Sequence, residues 1–432
     1  MEQSKKRIIL NTIYMYILSF AKLVIPLISL PYLTKVLSVD CIGGVSFVKS
    51  FVSYAQVIVD FGFVLSATKD IVALLKKKQS PNKTIGNTLF AQIILSTTML
   101  IVMIICILFI DSLNGYELYA VLSLVPVVLS IFLFEYVFRA YEKMEKITLR
   151  YVIMRLIALV LTLIFVKNDS QILLMPLFDI ISSIIAIILV VCQLRKLGVK
   201  CEFSFIRIKD AFVTIKKSFV YFCSNFMSTA FSLLNTIIIG IVLTKESVAY
   251  WTVAFQFMSA INAMYTPIIS SVYPVMLKER RLRIIHQIMA IFMPIILVGS
   301  VVIFFLSDWF VDFVFGEAYI YSGTLIRWII PVIIATFPSL LYGWPCISVI
   351  NKEKTNMGIT MTCAFVQIVG VVLLISIGKL TLINLAIVRG VVEILLAIFR
   401  IVFVYKNRKL FDCVITDDKT TIIPTEDNSS VS

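Results

Sequence analysis

"FVKSFVSYAQVIVDFG", residues 47–62, decides the class of this protein. The run is apolar enough for lipid, yet it holds Lys49, Gln56 and Asp60. One charge at the centre of a membrane helix costs about 2.5–3.5 kcal/mol on insertion scales. A helix turns about 100° per residue, so Gln56 falls about 20° short of two turns from Lys49 and Asp60 about 20° past three. Ser53 lies about 40° away. The polar groups form one stripe, with Asp60 about 16 Å along the axis from Lys49 and out of direct pairing range. Either the stripe faces a polar cavity, or Lys49 snorkels outward and Asp60 serves a contact at the inner end.

The surrounding sequence makes the run a membrane segment. Of 432 residues, 60% are hydrophobic and 15% charged, with mean hydropathy +1.00, too little polar surface to clothe a soluble particle. Spans of about 20 apolar residues recur. They are expected near 11–34, 42–67, 85–110, 117–138, 148–166, 171–193, 218–243, 248–276, 284–306, 323–349, 357–377 and 382–405. With the N-terminus inside, 29 basic residues fall in inner segments and 4 in outer loops, the distribution that orients helices in a bilayer. The expected fold is therefore an all-α polytopic membrane protein of about twelve helices with both termini cytoplasmic. The net charge of +14 is read as orienting loop charge and not as a nucleic-acid surface. Eight scattered cysteines and one histidine, His286, make neither a zinc site nor a disulfide framework expected. No phosphate-cradling loop or nucleophile motif occurs, so the chain is not expected to be an enzyme.

The stretch "LRKLGVKCEFSFIRIKDAFVTIKKS" separates six spans from six. The expected organisation is an N-terminal lobe over 1–193, an amphipathic surface linker over 194–217, a C-terminal lobe over 218–405, and a disordered tail over 406–432. The halves echo each other: "YLTKVLS" (32–38) precedes "IGGVSFVKSF", and "VLTKES" (242–247) precedes "VAYWTVAFQF". Both run in the same direction, as parallel repeats would.

Other polar groups lie within spans. Lys22 is near the middle of the first, with Asn11 and Ser29 on its face and Pro26 and Pro31 expected to bend the helix. The seventh and eighth spans carry neutral groups, including Asn225, Ser232 and Gln256, which suit either a ligand or ordinary interhelical bonding. Arg327 suits snorkelling as well as a ligand role, whereas Arg155 and Arg400, near inner ends, are read as snorkelling. Arg389 and Glu393 are spaced to pair with each other. Asp179, beside Pro176, is either a proton or sodium site or the partner of a basic residue.

In "PLISLPYLTKVLS" (26–38), "GGVSFVKSFVSY" (43–54), "DFGFVLSATKDIV" (60–72), the basic loop "LKKKQSPNK" and the outer "FVFGEAY" (313–319), the chain resembles the bacterial O-antigen and polysaccharide flippases of the multidrug/oligosaccharidyl-lipid/polysaccharide exporter superfamily. Ser38 stands where members often have Gly. The resemblance implies two six-helix lobes around a central cavity in the bacterial cytoplasmic membrane. It implies alternating-access transfer of undecaprenyl-pyrophosphate-linked oligosaccharide to the outer leaflet, with Lys22 and Lys49 contacting the anion. Asn225, Ser232 and Gln256 would then bond sugar hydroxyls, with Gln56 and Arg327 also lining the cavity. Asp60 or Asp179 would serve as a proton or sodium coupling site, or Asp60 as an inner gate. The partners implied are membrane lipids and the polymerase and chain-length proteins of the pathway, with no cofactor beyond the coupling ion, no metal and no nucleic acid. Two other readings stay open: a cation-coupled multidrug antiporter of the same superfamily, and a membrane glycan polymerase or ligase.

Overall fold

A computed structural model describes residues 2–196, 208–411, 413–415 and 422–424; the side chains of 2–9, 208, 224–225, 227–232, 413–415 and 422–424 lie outside the description. Among the described residues the long elements are helices, and each position where the sequence places a span is helical in the main, in one piece or two. They are α1 (Glu2–Val36), α2 (Val39–Asp60), α3 (Phe63–Lys76), α4 (Asn82–Phe109), α5 (Glu117–Ser130), α6 (Glu135–Ala140) and α7 (Met144–Phe165). These are followed by α8 (Leu174–Lys196), α9 (Ile208–Val242), α10 (Lys245–Glu279), α11 (Leu282–Phe315), α12 (Ile320–Tyr342), α13 (Glu353–Ser376) and α14 (Leu382–Lys406). Eight of the helical passages are long and apolar enough to cross a membrane. Large side chains such as Leu108, Phe109, Phe305 and Phe365 stand exposed on them, as a lipid-facing surface requires.

Three expected spans are not single helices. The second breaks at Phe61 and Gly62, both left-handed (φ 39° and 70°), so α2 ends at Asp60 and α3 begins at Phe63. The break is packed against α9: a Cβ on Gly62 would lie 2.6 Å from Tyr221 Cβ, and Phe61 stacks on Phe222 at 4.3 Å. Only glycine combines that positive φ with that approach at no steric cost. The fourth passage breaks likewise at left-handed Phe134, after a short 3₁₀ turn over Ile131–Leu133. The tenth ends in a π-helical turn, Gly343–Ile347, where Pro345 cannot donate a backbone bond. Pro26 and Pro31 lie inside α1 without ending it.

The chain divides into two compact units, 1–252 and 253–432, with the boundary inside α10. In the first, α7 packs between α1 and α8, α5 bridges α2 and α8, and α9 lies along α2, α3 and α4. In the second, α12 is central, packed on α11 and α14, with α13 on α14. Residues 197–207 of the expected linker lie outside the described residues, and 208–217 are helical and continuous with α9. Of the tail expected to be disordered, a 3₁₀ turn at Arg408–Leu410 and a two-stranded antiparallel ribbon, Cys413–Ile415 with Ile422–Pro424, are described; 412, 416–421 and 425–432 are not.

Candidate functional site

Four helices of the first unit line an open cavity of about 90 Å³. Its polar lining is Ser29 of α1, Lys49 of α2, Arg155 and Thr162 of α7, and Asp179 of α8. Ile25, Leu33, Leu159 and Met175 supply apolar wall. The volume accommodates several waters, and the wall has polar partners to hold them. Helical period explains the convergence: Ser29 and Leu33 are one turn apart on α1, and Arg155, Ala158, Leu159 and Thr162 form one face of α7.

The charges in this cavity are two cations and one anion. Arg155 Nη1 donates to Asp179 Oδ1 at 3.0 Å. Both side chains remain about two-fifths to one-third exposed (41% and 35%), so the pair borders open space and is not sealed in a core. Lys49 is exposed on α2, and among the described residues it forms no ion pair within 4.0 Å. Of the two readings of Asp179, the geometry is that of a partner for a basic residue. Arg155 does not snorkel as expected: its guanidinium turns into the bundle, because a mid-span carboxylate on α8 offers it a charge-assisted bond there.

Tyr151, one turn before Arg155 on α7, links this cavity to Lys22. Lys22 Nζ lies 5.4 Å from the centre of the Tyr151 ring and the Arg155 guanidinium 5.8 Å. A ring face attracts cations through its quadrupole, so Tyr151 gives Lys22 a partner within the bundle. Nothing in the residue order singles out Tyr151; its spacing of four from Arg155 is the one available signal.

Gln56 and Asp60 form a separate polar group. Gln56 Nε2 donates to Asp60 Oδ1 at 3.0 Å and to Ser130 Oγ of α5 at 3.2 Å. Asp60 is the last residue of α2 and sits immediately before the break that stacks on α9. Lys49 and Asp60 thus share a stripe but serve different neighbours.

The expected residues of the second half are placed less closely. The side chains of Asn225 and Ser232 lie outside the described residues. Gln256 is partly buried on α10, in the second unit. Arg327 is engaged within that unit: Nη2 meets Asp308 Oδ2 at 2.6 Å and Nε donates to the Phe304 carbonyl at 3.0 Å. Gly323 makes room for Asp308, whose Oδ1 would stand 2.3 Å from a Cβ there. Arg389 pairs with Glu393 at 3.3 Å, as its spacing suggests, and donates to Gln367 Oε1 at 3.0 Å. Arg400 is a correction: it is 9% exposed and donates to the Ser339 carbonyl, Ser339 Oγ and Thr360 Oγ1. Its two Nη groups are met by α12 and α13, which hold the side chain inside the bundle and away from the membrane surface.

Comparison with known proteins follows the same lines. The family profile described as "Polysaccharide biosynthesis protein" matches residues 8–280. A Shigella dysenteriae protein named "Putative O-antigen transporter" is 24% identical over 366 residues, covering 83% of this chain and 90% of that one. An Escherichia coli K12 protein of the same name is 25% identical over 272 residues, 61% of this chain and 63% of its own length. Among solved structures, an inward-facing multidrug resistance MATE family transporter of the MOP superfamily superposes with TM-score 0.68 at 14% identity, covering 91% of this chain and 98% of the other. A Vibrio cholerae MATE transporter gives 0.59 at 14% identity over 94% and 98%.

Proposed function

This chain belongs to the polysaccharide biosynthesis protein family and has the fold of solved MOP-superfamily transporters; from that we propose that it is a multi-pass membrane transporter, not an enzyme, which flips a lipid-linked oligosaccharide across the bacterial cytoplasmic membrane. The observation that supports this most is the cavity of α1, α2, α7 and α8, with Lys49 and Arg155 facing a single carboxylate. A diphosphate crossing a low-dielectric region carries a large desolvation cost unless cations meet it inside the bundle. Lys49 stands in the cavity, and Lys22 stands beside Tyr151 next to Arg155. On this reading the two lysines meet the undecaprenyl-pyrophosphate group. Asn225, Ser232 and Gln256 bond sugar hydroxyls, and two six-helix lobes alternate access around them. Asp60, joined to Gln56 at the α2 break, is the coupling site for a proton or sodium ion or part of an inner gate. Repeat-unit polymerase and chain-length proteins then receive the product outside.

The test is complementation of a flippase-null strain supplying a defined lipid-linked glycan. Lys22→Ala and Lys49→Ala are expected to abolish surface glycan while the protein remains inserted at wild-type level. Normal surface glycan in the double variant would overturn the reading of both lysines.

A further inference from the structure

The Arg155–Asp179 pair has no counterpart in a simple cationic lumen, and it stands in the same cavity as Lys49. We propose that Asp179 is a built-in counter-ion that the phosphate of the substrate displaces, so that Lys49 and Arg155 close on the phosphate together. This rests on reading Lys49 as an anion-binding residue.

The geometry supports exchange over permanent pairing. The bond joins one guanidinium nitrogen, Nη1, to one carboxylate oxygen, Oδ1, at 3.0 Å. A guanidinium carries five N–H donors in a planar fork that fits phosphate as well as carboxylate, so Arg155 keeps donors for a second oxyanion. Both partners keep a large exposed fraction, 41% and 35%, toward the cavity. Among the described residues, the charged and titratable groups that act on Asp179 are Arg155 on α7, Lys49 on α2 and Tyr119 on α5, while Tyr151 on α7 faces Arg155. Among the described residues no second carboxylate lines the cavity.

Two consequences follow for transport. Before substrate arrives, Asp179 keeps Arg155 from standing as an uncompensated charge within the bundle, where an unpaired cation is costly. After arrival, the freed carboxylate repels the phosphate, so the site loads without becoming a trap. A transporter needs both, since an anion held by two cations and nothing else leaves slowly.

The experiment uses the full chain in lipid nanodiscs and two probes: inorganic pyrophosphate, and geranyl diphosphate as a short lipid diphosphate. Asp179→Asn keeps the side-chain shape and removes the competitor. It is expected to bind the probes about tenfold tighter than the wild type, the scale of removing one like charge at close range in a partly screened cavity. Arg155→Gln is expected to bind about tenfold weaker, and Asp179→Asn added to it should tighten binding less than it does alone. The same Asp179→Asn variant should flip glycan more slowly in the complementation assay. Binding of geranyl diphosphate alone would assign the site to a lipid head group, and binding of both probes to diphosphate in general; either supports the exchange. Unchanged or weaker binding in Asp179→Asn, with Lys49→Ala still losing affinity, would overturn the counter-ion role and leave the anion cavity standing. A wild type that binds neither probe would overturn both.

Discussion

Gly240→Ala tests a close helix approach in the first unit. A Cβ at Gly240 would sit 2.1 Å from Phe47 Cδ2 and 2.2 Å from Cε2. Carbon atoms rest at about 3.5–4.0 Å, so α9 and α2 must part by about 1.5 Å or Phe47 must leave its place. Phe47 has little freedom: it is fully buried and meets Phe51 edge to face at 5.1 Å. Nor can α2 simply tilt nearby, since a Cβ at Gly43 would stand 1.8 Å from the Lys245 backbone carbonyl oxygen. Overpacking of this kind costs about 1–3 kcal/mol. In a unit of this size about 1 kcal/mol moves the unfolding midpoint by about 2–4 °C. Thermal unfolding of the purified protein in one detergent should therefore show Gly240→Ala several degrees below wild type. Phe47→Leu in the same background should recover part of that loss, with a coupling of at least about 0.5 kcal/mol. A wild-type midpoint for Gly240→Ala, with no coupling to Phe47→Leu, would refute the backbone approach of α2 and α9.

Three further outcomes are expected. Arg389→Gln removes the ion-pair partner of Glu393, 5% exposed, leaving only the more distant Arg400 to balance it, and should cost about 3 kcal/mol, whereas Arg389→Met with Glu393→Leu should unfold much nearer the wild-type midpoint. Gly323→Ala should cost about 1–3 kcal/mol in the same assay, because its Cβ meets Asp308 side chain and backbone at 2.3 and 3.0 Å and neither can retreat without disturbing the Arg327 pair. Lys217→Ala breaks the 2.6 Å contact to Asp70, but Lys217 is 60% exposed there, so the midpoint should move by less than about 1 kcal/mol would produce.

The break in the second passage shows how far the residue order reaches. Its apolar length predicts a helix through residue 67, and no proline marks a stop. The left-handed pair at Phe61 and Gly62 is chosen by what lies across from it, Tyr221 and Phe222 of α9, about 160 residues away in sequence. Arg155 and Arg400 illustrate the same point for charges. Position near the end of an apolar run suggests snorkelling; the partners that hold these side chains inside, Asp179 for one and Ser339 and Thr360 for the other, come from helices that sequence distance does not bring together.

Class and helix positions, by contrast, are local properties. About 20 consecutive apolar residues commit a segment to lipid whatever its neighbours do, and in lipid the backbone has no water to bond, so the helix follows from composition alone. The stripe of Lys49, Gln56 and Asp60 is equally local, because helical period sets which side chains share a face. What each member of the stripe meets is not local. Lys49 opens on a cavity with Arg155 and Asp179, while Gln56 and Asp60 bind each other and Ser130 beside the α2 break. Which charges gather there depends on the packing of α7 between α1 and α8 and of α5 between α2 and α8, and pairing energies between helices exist only once those helices have met.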